Sequence, residues 1–114
     1  MNISKRDWKL FQDKLPAWQE KYMECLIMDY IDCLKDNTKK ASDRFWQLEK
    51  RIKKDKQNPG VVLNMDKGEA VWNIVNLMRS GVIEAADLLD FSDELKHDVE
   101  TMLDISRGSL WRLE

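Results

Sequence analysis

The stretch 66–103 constrains the fold of this chain more than any other, because it carries helix-start, helix-stop and helix-restart signals in order. Asp66 with Glu69 three residues later forms a capping-box start, and Val71, Ile74, Val75 and Met78 then recur at helical spacing. Gly81 is placed to adopt the left-handed conformation that closes a helix. Val82 beyond it is set to touch Leu77, the contact that accompanies a Schellman stop. After a turn over residues 84–90, Ser92 offers a second N-cap, with Asp93 and Glu94 at the positive end of the helix dipole. Leu95, Val99, Met102 and Leu103 make the buried stripe of that helix. The pattern predicts a helix–glycine turn–helix unit in the C-terminal half.

Upstream, Ser4 is an N-cap with Asp7 at N3, and Ile3 is placed to staple onto Trp8. Trp8, Phe11 and Leu15 share one face. Pro16 predicts a break at Leu15 and the opening of a second helix over 16–35. That helix carries Trp18, Tyr22, Leu26, Tyr30 and Leu34 on one stripe, and Met23, Ile27 and Ile31 widen it towards encirclement. A helix so apolar is expected at the centre of the fold, covered on more than one side. A turn at 36–38 leads to a third helix over 39–57 with Ala41, Phe45, Leu48 and Ile52 inward, ended by Asn58-Pro59-Gly60. Val61, Val62 and Leu63 form a short apolar connector, read as an arm laid over the core or a brief β pairing. Residues 105–114 lack periodicity and read as an irregular tail, its last two residues a non-native addition.

Composition sets the outer limits. A chain of 114 residues suffices for one domain that buries roughly two-thirds of its unfolded surface. Four glycines and two prolines leave little material for the tight turns of an all-β fold. No apolar run approaches the ~20 residues that span a bilayer, and the start lacks a signal-like apolar segment, which points to the cytoplasm. The expected fold is all-α: a compact bundle of five or six helices over residues 1–104.

The net charge of −2 conceals an asymmetry. Residues 1–60 carry 14 Lys and Arg against 10 Asp and Glu, and residues 61–114 carry 5 against 11. Opposite halves can complement each other within one fold or between two copies. The five tryptophans, Trp8, Trp18, Trp46, Trp72 and Trp111, are spread along the chain, and large amphipathic rings suit cores and interfaces alike. Trp46 and Trp72 sit off the main apolar stripes of their helices. Together with Val61, Val62 and Leu63 they are the candidate self-association surface.

Catalytic and metal signals are weak. Cys25 and Cys33 are eight residues apart on one helix, about 12 Å along its axis and too far for a mutual disulfide. Glu94 and His97 make a single Glu-x-x-His pair, whereas helical di-iron sites need two such pairs and further glutamates. Neither a glycine-rich phosphate loop nor a nucleophile elbow is present, so no catalytic residue, metal ligand or cofactor is assigned. The basic end of the third helix is the one candidate for phosphate or acidic-partner contacts: Arg44, Lys50, Arg51, Lys53 and Lys54, with Trp46 available for stacking. The sequence pI of 5.5 argues against a dedicated nucleic-acid domain.

Several segments resemble a family of short bacterial open reading frames found in Firmicutes and their integrative mobile elements. These are residues 3–8 (Ile-Ser-Lys-Arg-Asp-Trp), 45–52 (Phe-Trp-Gln-Leu-Glu-Lys-Arg-Ile), 58–61 (Asn-Pro-Gly-Val), 81–83 (Gly-Val-Ile) and 91–95 (Phe-Ser-Asp-Glu-Leu). The resemblance covers residues 3 to about 103 and implies a bacterial, cytoplasmic accessory protein. It supplies no functional residues. Some members carry a transporter label, which the lack of a membrane-spanning run keeps from this chain. The function expected from the sequence is a non-catalytic interaction or adaptor protein, homodimeric, with a small nucleic-acid-associated protein as the alternative.

Overall fold

The computed structural model describes residues 2–111, with side chains described through Ile105. Four α-helices follow one another: α1 (Lys5–Lys35), α2 (Ala41–Asp55), α3 (Ala70–Arg79) and α4 (Asp93–Trp111). Short 3-10 turns lie at Lys67–Glu69 and Ala85–Leu88, and the described residues form no strand. The expected compact bundle of five or six helices is therefore wrong. The described residues form four α-helices in a somewhat extended arrangement, with principal extents of 52 × 41 × 22 Å.

The largest departure is at Pro16. A break was expected there, yet α1 runs unbroken for 31 residues, about 46 Å at 1.5 Å per residue. Pro16 cannot donate to the carbonyl of Gln12, but both residues lie on the exposed side of α1. The ring projects into solvent, and water is free to satisfy the orphaned carbonyl. The buried side keeps Phe11, Leu15 and half-buried Trp18 in one continuous line, which a break would have split.

The core sits at one end of this long helix. Phe11 and Leu15 of α1 meet Ala70, Val71, Ile74, Val75 and Leu77 of α3, with Leu95 and Val99 of α4. Ile3, Ile83, Leu88 and Phe91 close the margins. The rings of Trp8, Phe11, Trp18 and Phe91 run in series, each 6.2–6.3 Å from the next.

Local signals explain the element ends. The Asp7 N–H donates to Ser4 Oγ at 3.1 Å, the expected cap of α1. At the end of α3, Gly81 has φ +77°. The Val82 N–H donates to Leu77 O and the Gly81 N–H to Met78 O, which completes the Schellman pattern. Asp66 caps too, but it receives the Gly68 N–H and starts a 3-10 turn, and α3 begins at Ala70. Ser92 accepts the Leu95 N–H as expected, and then does more. Its own N–H and hydroxyl both donate to the carboxylate of Asp7, which is 2% exposed, so the caps of α1 and α4 are tied together.

Past Leu103 the chain stays helical to Trp111, where an irregular tail was expected. The role sought for the Trp111 side chain, and residues 112–114, lie outside the described residues.

Candidate functional site

Beyond Trp18, α1 leaves the core and pairs with α2 and the segment that follows it. The turn between them is held by Asp36, whose Oδ1 accepts the backbone N–H of Thr38 at 3.1 Å as well as its hydroxyl. Those bonds, hydroxyl first, hold the Asp36 carboxyl below the usual range. The Arg44 guanidinium donates to Leu34 O at 2.6 Å, at the C-terminal end of α1, and to Lys39 O at 3.2 Å, in the turn before α2.

Further along, Arg51 pairs with Asp29 at 3.1 Å and Asp55 at 3.7 Å while lying 5.3 Å over the Tyr30 ring. The Tyr30 hydroxyl donates to Asp55. Burial, then the bond to Asp55 and its negative charge, push the Tyr30 pKa up to about 12. Burial likewise raises that of Tyr22, with the Asp55 charge second. At the base, Asn58 Nδ2 donates to Tyr22 Oη, and Gln19 Nε2 to the Pro59 carbonyl, both at 3.0 Å. Gly60 packs so closely on Tyr22 that a Cβ there would lie 2.4 Å from the ring. Early α1 residues pair with late α2 residues throughout, so the two helices form an antiparallel hairpin joined mainly by polar contacts.

This hairpin lacks an apolar core of its own. Leu26 is the only buried residue in the α1 half of the hairpin among those described, and α2 buries none. The expectation of a central, enveloped helix over 16–35 is thus corrected: its first turns join the core and the rest is an arm. At about 100° per residue, Met23, Ile27, Ile31 and Leu34 form a ridge turned roughly 90° from the α2-facing line of Leu26, Tyr30 and Cys33. On α2, Ala41, Phe45 and Ile52 form a second ridge. It is turned by about 90° in the same sense from the line of Arg44, Gln47, Arg51 and Asp55 that meets α1. In an antiparallel pair, equal senses of rotation fall on the same side, so both ridges share one face of the hairpin. Ile27 (49%), Ile31 (47%), Leu34 (40%) and Phe45 (62%) are all largely open to solvent there, with Ile52 close behind. A groove of about 370 Å³ runs between Phe45, Leu48 and Ile52, edged by Lys53 and Lys56.

The residues singled out from the sequence do not gather at one place. Trp46, 64% exposed, lies on the outer side of α2, edge-on to Phe45 at 5.0 Å. Trp72 is on α3 at the other end of the molecule, beside Met102. Val61 and Leu63 are half-buried, Leu63 against the chain's own core, while Val62 is exposed. The connector is a turn followed by irregular chain, with no β pairing.

Of the five basic candidates, Arg44 and Arg51 are engaged inside the hairpin. Lys50, Lys53 and Lys54 remain exposed, with Lys50 in a cleft beside Trp46 and Lys39. The ridge residues Ile27, Ile31, Leu34, Phe45 and Ile52 were missed as a site. Their signal was the apolar surplus itself, read as burial within the chain.

Cys25 is exposed and Cys33 half-buried, its thiol 3.9 Å from Gln47 Oε1, and both are free. Among the described residues, no three His, Cys, Asp or Glu side chains are grouped to hold a metal, and no helix is long and apolar enough to cross a membrane. Comparison with family models, with curated proteins and with solved structures gives no significant match, so the functional argument rests on the geometry.

Proposed function

We propose that this chain is a non-catalytic interaction protein and that the α1–α2 hairpin is its docking element. One observation carries the reading: five large apolar side chains from two helices share one solvent-facing side of an arm that has almost no core of its own. A helix normally buries its apolar stripe against another layer, and here no described residue of the chain supplies that layer. Contiguous apolar surface of this size marks binding surfaces. The core at the far end, tied through Asp7 and Ser92, acts as the scaffold that fixes the root of α1.

The test compares the parent chain with an Ile31→Glu/Phe45→Glu variant as bait in an extract of the native host. Proteins retained by the parent and lost by the variant are the expected result. Equal retention by both would retire the hairpin as the docking element.

The exposed Lys39 and Lys50 around Trp46 favour a second reading, contact with single-stranded nucleic acid by stacking and phosphate pairing. Absence of binding to a labelled oligonucleotide at about 50 mM salt would end that reading, since phosphate contacts are strongest at low salt.

A further inference from the structure

We infer that the occupant of the apolar hairpin face is a second copy of this chain, the two hairpins stacking into a four-helix layer. This rests on the hairpin being the docking element and adds the identity of the partner.

The exposed area is of the right size. At roughly 200 Å² for a large side chain, the exposed fractions of Ile27, Ile31, Leu34, Phe45 and Ile52 amount to on the order of 450 Å² of apolar surface. A stable interface takes about 800 Å² from each partner, of which some 55–65% is apolar. One hairpin face against an identical one meets that requirement without recruiting other parts of the molecule. The shape fits as well: a two-helix layer with parallel ridges is covered best by another two-helix layer, the arrangement of four-helix bundles.

The globular end leaves room for this. Phe11, Leu15 and Trp18, which hold the core, lie on the α2-facing side of α1. By helical register they are turned away from the ridge of Ile27 and Ile31. The core elements therefore do not overhang the face.

Charge selects the orientation. The flank of α1 outside the ridge carries Glu20 and Glu24, and the corresponding flank of α2 carries Lys53 and Lys56, with Glu49 between. Contacts such as Asp29 with Arg51 and Cys33 with Gln47 place residues at one height when their numbers sum to about 80. Glu24 and Lys56 are thus level, on opposite flanks of one hairpin. A two-fold axis running along the hairpin lays α1 of one copy across α2 of the other, so Glu24 meets the partner copy's lysine flank twice. A two-fold across the hairpin would instead set acidic flank on acidic flank and basic on basic, a repulsive pairing.

Sedimentation equilibrium over roughly 1–100 µM, the range that brackets a micromolar Kd, tests this on the whole chain. The expected mass is twice the 13.5 kDa of one chain. Ile31→Glu or Phe45→Glu should each give a monomer with unchanged far-UV circular dichroism, since both side chains are exposed. Trp72→Glu, outside the face, should leave the dimer intact. Glu24→Lys should weaken the dimer by about tenfold, as two flank contacts turn repulsive, and adding Lys56→Glu should restore it.

A monomer mass for the parent at every concentration overturns the inference, as does a dimer that survives both ridge substitutions. A monomer that still loses its captured host partners with Ile31→Glu/Phe45→Glu would leave the hairpin as a docking element and remove only the second copy. Failure of the Glu24–Lys56 rescue overturns the along-hairpin axis.

Discussion

Removing the Asp7 carboxylate should cost more stability than any surface substitution in this protein. Asp7 is 2% exposed in the first turn of α1 and accepts the Ser92 N–H at 3.1 Å together with the Ser92 hydroxyl; the Arg6 guanidinium lies 3.6 Å away. Hydrogen bonds to a charged group contribute about 1.5–3 kcal/mol each, and the two here are made to one residue and are not independent. A carboxylate in the first turn adds about 0.5 kcal/mol through the helix dipole.

Against this stands the relief of desolvating a carboxylate when alanine replaces it. The net expectation for Asp7→Ala is about 3 kcal/mol. With an unfolding entropy near 2.1 cal/mol/K per residue, a chain this long loses about 12 °C of Tm. Asp7→Asn keeps one acceptor oxygen and should lose about half as much. Thermal melts followed by far-UV circular dichroism measure both. Ser92→Ala and the double variant then complete a cycle whose coupling should be at least 1 kcal/mol. A fall of less than about 4 °C for Asp7→Ala, or strict additivity in the cycle, would refute the claim that this contact ties the two helix caps together.

Two glycines should respond for different reasons. Gly81→Ala costs about 1 kcal/mol, because φ is +77° and an added Cβ meets nothing within 4 Å, so only backbone strain is felt. Gly60→Ala should cost more, on the order of 2–3 kcal/mol, since its Cβ would lie 2.4 Å from Tyr22 and 2.7 Å from Val82 where hairpin meets core. Melts that rank Gly81→Ala as the worse of the two would contradict this. Tyr30 makes the hairpin alkali-sensitive. Its pKa is raised to about 12 in the folded chain against about 10 unfolded, so its contribution is complete below pH 10 and is lost as pH climbs towards 12. Urea midpoints at about pH 8 and pH 11 should diverge more for the parent than for Tyr30→Phe, and equal divergence would remove Tyr30 as the cause.

Much of the local structure was legible from residue order. The caps at Ser4 and Ser92, the left-handed stop at Gly81 and the end of α2 near Asn58 follow from backbone chemistry within a few residues. The inward faces of α3 and α4 follow from 3.6-residue periodicity, with Val71, Ile74, Val75, Leu95 and Val99 buried as expected. Pro16 was misread because its rule is local. The proline penalty is real, but on a solvent-facing side water takes the freed carbonyl, and the continuous line of packed aromatic and aliphatic groups on the opposite side outweighs what remains. The engagement of Arg44 and Arg51 was also illegible, since it depends on the hairpin turn setting which α1 residue stands level with which α2 residue.

What the sequence by itself determined is the helical class, most helix ends, and an apolar excess on the helix that holds Met23, Ile27 and Ile31. Periodicity states the direction in which a side chain points along its own helix and nothing about what waits there. Only the tertiary structure decided that α3 and α4 pack on the first half of α1 and leave the second half to α2. The buried apolar side chains outside the hairpin, from Ile3 to Val99, close that one core, while Val62, Trp72 and Leu89 stay exposed around it. Among the described residues the ridges of the hairpin stay uncovered, because burial depends on long-range placement of surface against surface, whereas helical propensity is decided within a few turns.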